Sequence, residues 1–126
     1  MATFTTGQVL TAAAMNSIAN LTMRTVTATS DTFVLADADN KLLIYSTTGT
    51  VTITIPPNSS VAMTTGSVVN IVKTGATGTL SITQGSGVTI SSAGATSTNP
   101  VITSAFKAAS CMKIDTNSWI VVGGIS

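Results

Sequence analysis

The sequence predicts an all-β protein, a small antiparallel β-sandwich or barrel preceded by an extended arm and one short helix. Three observations carry that expectation. Thr, Val and Ile dominate the composition, and β-branched side chains suit a pleated sheet and resist a helix. Residues 51–55, Val-Thr-Ile-Thr-Ile, alternate apolar and polar with the period of a half-buried strand. Gly, Asn, Asp and Pro recur at intervals of about 8–12 residues, the spacing of turns between short strands.

The N-terminal part reads differently. Residues 3–7 are a polar, extended arm, and residues 9–21 are the one stretch with helical character. Thr11 suits an N-cap, the alanines at 12–14 have the highest helix propensity, and Asn20 suits a stop. Leu10, Ala14, Ile18 and Leu21 share one face, with Met15 beside it. A helix of about three turns is marginal alone in water, so this one has to dock, either on its own β domain or on a neighbouring subunit. Phe4, Val9, Leu10, Met15, Ile18 and Leu21 are therefore the candidate attachment residues. Residues 1–24 form the attachment segment and 25–126 the antiparallel β domain.

Within that domain, strands are expected at 25–29 and 32–36 around a Ser30-Asp31 turn, then at 41–46 after the turn cluster 37–40. Thr48-Gly49 precedes the alternating strand 51–55, which Pro56-Pro57 ends because proline donates nothing to a ladder. Residues 67–73 form a more continuously apolar strand, joined in hairpin fashion through 75–78 to 79–83. Gln84-Gly85-Ser86-Gly87 leads into 88–90. The stretch 91–100 is the longest loop and the expected partner-facing segment. Strands 106–114 and 118–122 form a closing pair around Asp115-Thr116-Asn117. The expected core is Val34, Leu42, Ile44, Val51, Ile53, Ile55, Val69, Ile71, Leu80, Ile82, Val88, Ile90, Met112, Ile114, Trp119 and Val121.

Charge excludes several functions. Charged residues make up 7% of the chain, against roughly 25% in an ordinary domain. Ser and Thr, roughly a third of the residues, carry the polarity that Lys and Glu usually supply. A net charge of +1 gives copies little mutual repulsion, which suits a permanent assembly. The five basic residues are scattered, so no nucleic-acid partner is expected. No membrane partner is expected either, because no apolar run approaches the ~18 residues of a span. The N-terminus has no basic segment followed by an apolar one, so export by a secretory signal is not expected and the protein is made in a cytoplasm.

Catalytic and cofactor chemistry find no foothold. The chain contains neither His nor Glu, which removes the Ser-His-Asp and Cys-His arrangements and leaves Asp and Lys as the only general bases. The single cysteine, Cys111, lies in an apolar run and reads as a buried inert thiol. Asp37-Ala38-Asp39-Asn40-Lys41 has the acidic opening of a calcium loop without its glycine and closing glutamate. A turn held by side-chain-to-backbone hydrogen bonds accounts for it better. Gly75–Gly78 and Gly85-Ser86-Gly87 precede strands, so they are turns and not phosphate cradles. Trp119 sits on an apolar strand and reads as core. The expectation is a protein with no enzyme activity, no metal and no cofactor.

The blocks at 32–41, 51–61, 65–71, 85–90 and 113–124 resemble, in order and spacing, a small β domain that recurs in tail-fibre and other virion proteins of tailed bacteriophages. Separately, residues 4–16, Phe4-Thr5-Thr6-Gly7-Gln8-Val9-Leu10 onward, look like the N-terminal segment of many phage tail and appendage proteins. The resemblance implies a viral structural protein of the virion, assembled in the host cytoplasm and commonly a homotrimer. Its partner would be the major capsid protein or a tail or appendage protein. A chain ending at Ser126 lacks the shaft and tip of a receptor-binding fibre, so a capsid decoration (cement or head-fibre) protein is favoured over a tail-fibre or tail-appendage component. A host receptor- or glycan-binding adhesin, with 91–100 as contact loop, is a further class.

Overall fold

The computed structural model describes residues 21–126. Ten strands build two sheets around one core, with a single 3-10 turn among the described residues. In chain order the strands are β1 (Thr22–Val26), β2 (Ser30–Thr32), β3 (Lys41–Tyr45), β4 (Val51–Ile55), β5 (Val68–Lys73), β6 (Leu80–Gln84), β7 (Thr89–Ser91), β8 (Val101–Ile102), β9 (Ala108–Asp115) and β10 (Ser118–Gly123). The turn η1 (Leu35–Ala38) lies between β2 and β3. The larger sheet runs β1-β3-β5-β9-β10-β7 and the smaller one β2-β4-β6-β8.

The topology corrects the expected antiparallel sandwich. β1, β3 and β5 are parallel neighbours in the larger sheet, as are β2, β4 and β6 in the smaller one. The chain therefore winds as a coil, laying one strand in each sheet on every turn. Antiparallel pairing enters where β9 joins β5, where β10 folds back on β9 around Asp115, and where β8 joins β6. The predicted hairpin through 75–78 is instead a crossover between sheets, and Ser30 and Asp31 belong to β2 rather than to a turn. β1 begins at Thr22, ahead of the strand start expected at 25. Turn residues say that the chain bends. They do not say whether it returns beside the strand it left or crosses to the other sheet.

The coil explains two glycines. Successive corners stack on one another, so Gly75 sits against the corner at Thr47. A Cβ on Gly75 would lie 2.0 Å from the Thr47 carbonyl oxygen, and one on Gly78 would lie 2.3 Å from that of Gly49. Gly78 also has φ of +80°, which L side chains avoid.

The core also corrects the expected register. Val51, Ile53, Ile55, Val69, Ile71, Leu80, Ile82, Val88, Ile90, Trp119 and Val121 are buried as expected. Val34 and Ile114 are instead exposed, and Leu42, Ile44 and Met112 are only partly buried. Their places inside are taken by the adjacent residues: Phe33, Leu43, Tyr45, Cys111 and Lys113. A one-residue slip turns every side chain of a strand over. Leu42-Leu43-Ile44 and Phe33-Val34-Leu35 are apolar at both parities, so periodicity cannot choose between them.

Candidate functional site

The most concentrated chemistry lies in the first turn of the coil. Arg24 on β1 shares the parity of buried Val26, and Asp31 on β2 is the register partner of buried Ile53, so both point inward. The Arg24 guanidinium forms bidentate pairs with two carboxylates. Nε and Nη2 donate to Asp37 at 3.0 and 2.9 Å, while Nη1 and Nη2 donate to Asp31 at 3.1 and 2.9 Å. Asp37 is fully buried and also accepts from the Val34 N–H at 2.8 Å, which fixes the start of η1. The Tyr45 hydroxyl donates to Asp31 at 2.7 Å. One guanidinium thus ties β1, β2, η1 and, through Tyr45, β3.

Electrostatics in this node favour permanence. Hydrogen bonding to Asp31 raises the Arg24 pKa above its ordinary value, opposed by desolvation and helped by Asp37. Burial holds the Tyr45 phenol above its usual range, and donation to Asp31 adds to the effect. Both Asp31 and Asp37 have their oxygens occupied by fixed donors, so neither is presented to a substrate. The node staples the fold; it offers no acid–base pair.

Two lysines follow the same inward pattern. Lys73 at the end of β5 is buried, and its ammonium donates to the carbonyls of Gly75 and Thr77, the latter at 2.9 Å. Lys113 on β9 is buried and donates to Asn58 Oδ1 at 2.8 Å and to the Met63 carbonyl at 2.6 Å. Each binds down a crossover. Asn58 is held from a second side as well, because its N–H donates to Asn117 Oδ1 at 2.9 Å.

Of the chain's five basic and four acidic residues, five turn inward: Arg24, Asp31, Asp37, Lys73 and Lys113. Only Asp39, Lys41, Lys107 and Asp115 remain away from the core. Their formal charges cancel, so the exterior of the described residues is both sparsely charged and neutral.

The two outer sheet faces differ sharply. On the smaller sheet, the outward rows are Ser30, Thr52, Ser81 and Val101, then Thr32, Thr54 and Thr83. Thr54 and Thr83 share a hydroxyl–hydroxyl hydrogen bond of 3.3 Å. This is a solvent face built of hydroxyls. On the larger sheet the outward residues include Met23, Leu42, Ile44, Val68, Met112 and Val122, with Asn70 and Ser110 hydrogen-bonded to each other at 2.8 Å in the middle. No charged side chain lies on that face.

The residues singled out from sequence are distributed as follows. Leu21 is 46% exposed and stands just before β1, beside depressions on two sides. Phe4, Val9, Leu10, Met15 and Ile18, with the predicted arm and helix, lie outside the described residues. Trp119 is buried and packs on Phe33, ring centroids 6.3 Å apart and tilted by 52°. The 91–100 loop is mostly exposed but ends on buried Pro100, whose carbonyl accepts from Ile82 N–H at 2.8 Å. Among the described residues, no three His, Cys, Asp or Glu side chains are grouped to hold a metal, and no helix is long and apolar enough to cross a membrane. Sequence reasoning counted Arg24, Lys73 and Lys113 only among the scattered basic residues and gave them no role; the spacing of Lys113 two residues from Cys111 in the same apolar strand was the available signal.

Cys111 is fully buried, and burial pushes its thiol up to about 12 from an ordinary 9.0. A fold that raises an acid's pKa favours the neutral form. Its contribution is whole below pH ~9 and is lost as pH climbs toward ~12, because the unfolded chain ionises first. Tyr45 acts in the same direction above its ordinary 10.0. Stability should therefore fall from about pH 9 for Cys111 and from about pH 10 for Tyr45, up to about pH 12, by up to about 1.4 kcal/mol per pH unit for each group. Urea midpoints followed by Trp119 fluorescence check this, and Cys111→Ala and Tyr45→Phe should each flatten the slope. A midpoint that stays constant across that range would contradict it.

No family model and no curated protein matches the chain.

Proposed function

We propose that the chain is a non-enzymatic structural protein of a tailed-phage virion, a capsid decoration protein attached through its N-terminal segment and working as a homo-oligomer. The observation that carries this reading is the disposition of charge. A domain that turns five of its nine charged residues inward and leaves a neutral exterior is poorly equipped to stay dispersed as a monomer, whereas a subunit of a permanent assembly needs no such repulsion. The sequence resemblance to virion β domains and to phage N-terminal segments supplies the particular setting. The clamped carboxylates support a structural role, since one guanidinium engages both Asp31 and Asp37.

Attachment follows from the apolar positions ahead of β1. In the helix expected from the sequence, Leu10, Ile18 and Leu21 share one face, and multivalent engagement of several copies would turn a weak single contact into firm decoration. Co-sedimentation of purified protein with phage capsids lacking it tests the reading. The wild-type chain should pellet with the capsids, while Leu10→Asp and Ile18→Asp should remain in the supernatant with the β domain still folded. Wild-type protein that fails to pellet with capsids but binds tails or host cells would replace decoration with the tail or adhesin alternatives.

A further inference from the structure

We infer that the outer face of the six-stranded sheet is where copies of this chain pack against one another. This rests on the oligomeric reading above and assigns its surface. The strands themselves point to it. β4 and β6 alternate apolar with Ser or Thr, the pattern of strands with one wet face. β3 and β10 are apolar at both parities, as in Leu42-Leu43-Ile44 and Trp119-Ile120-Val121-Val122, the pattern of strands covered on both sides. β9 goes further: it turns Lys113 into the core and Met112 and Ile114 outward. A strand that buries its lysine and presents its hydrophobes outward is matched to an apolar neighbour, not to water.

The exposed side chains agree. Met23 is 68%, Ile114 52% and Val122 45% exposed on this face. At the margin where β9 meets β5 stands Phe106, 82% exposed and held at φ +65°, its N–H bonded to the Lys73 carbonyl. A phenylalanine in the left-handed region with its ring in solvent is a strained residue of the kind that persists at binding surfaces.

The occupant follows from charge and area. A charged partner finds nothing to pair with, because the face carries no ionised group. A second copy supplies an equally uncharged sheet with the same pleat, and two such sheets pack about 10 Å apart with side chains interdigitated. Six strands at ~4.8 Å spacing and about five residues long give a face of about 400 Å². Two copies so packed cover about 800 Å² of sheet between them, and apolar side chains at the margin carry the contact toward the ~1,000 Å² of a biological interface. The central Asn70–Ser110 pair then meets its counterpart instead of an apolar surface, which fixes alignment.

Analytical ultracentrifugation of the full chain tests this. The wild type should sediment as an oligomer at micromolar concentration. Val122→Glu and Met112→Glu should each weaken self-association by about 100-fold or more and yield folded monomer, since a buried unpaired carboxylate is strongly disfavoured. Thr52→Glu and Thr83→Glu, on the hydroxyl face, should leave the oligomer intact. A measurement needing no variant is methionine oxidation of the wild type, in which Met23 and Met112 should become protected as concentration rises. Oligomers that survive both glutamates, or protection that does not change with concentration because residues 1–20 of the same chain cover the face, would overturn the inference and leave capsid attachment standing. A wild-type monomer at all concentrations would remove the oligomeric reading as well.

Discussion

Replacing Arg24 with leucine should cost about 3–5 kcal/mol, the loss expected when one partner of a buried ionic cluster is removed. The reason is what remains. Asp37 is fully buried and Asp31 nearly so, at 12% side-chain exposure, and without the guanidinium two carboxylates face each other across the first turn of the coil. The Tyr45 hydroxyl and Val34 N–H supply one donor each and cannot neutralise them. Chemical denaturation should show the full loss for Arg24→Leu. The combined variant Arg24→Leu, Asp31→Asn, Asp37→Asn should recover most of it, because neutral amides need no counter-charge. A single variant that loses less than about 1 kcal/mol would show that the cluster is no more than a surface ion pair.

Lys113→Ala is expected to cost about 3 kcal/mol or more. Two terms combine: the buried aliphatic stem leaves a cavity, and Asn58 Oδ1 and the Met63 carbonyl lose their donor. Lys113→Met separates these terms. It fills the same space without an ammonium, so it should retain the packing and lose about 1–3 kcal/mol for the stranded acceptors. Hydrogen exchange should localise the effect to 58–63, while Gly66 N–H, which donates to the Lys113 carbonyl and not to its side chain, keeps its protection. Equal stability of Lys113→Met and wild type would mean that the ammonium contributes nothing net.

How much of this was legible in the sequence depends on the strand. Val51-Thr52-Ile53-Thr54-Ile55 announced both its existence and its facing, because only one parity is apolar. Lys41–Tyr45 announced its existence but not its facing, and Leu42 and Ile44 were placed inside in error. The error has a cause in the molecule: Leu42, Leu43 and Ile44 are apolar at both parities, so the strand carries no alternation to read. Sheet topology was hidden for a related reason. The corners at Gly49 and Gly75 have the composition of hairpin turns, and their stacking becomes visible only when the Thr47 carbonyl is seen beside Gly75. Arg24, Asp31, Asp37 and Tyr45 are separated by up to 21 positions, and only the winding of the chain brings them together.

The β5–β9 ladder carries a temporal consequence. Val68 through Val72 pair with residues 108–112, so the strand that ends the coil waits for a partner made some 40 residues later. On a ribosome, the three parallel windings emerge with β5 as a bare apolar edge, and only synthesis of the C-terminal hairpin seals it. Such distant pairing slows folding and leaves nascent chains prone to premature association. Folding of this domain is therefore gated by β9 and β10, and a chain truncated before β9 should accumulate as aggregate rather than as a shorter coil.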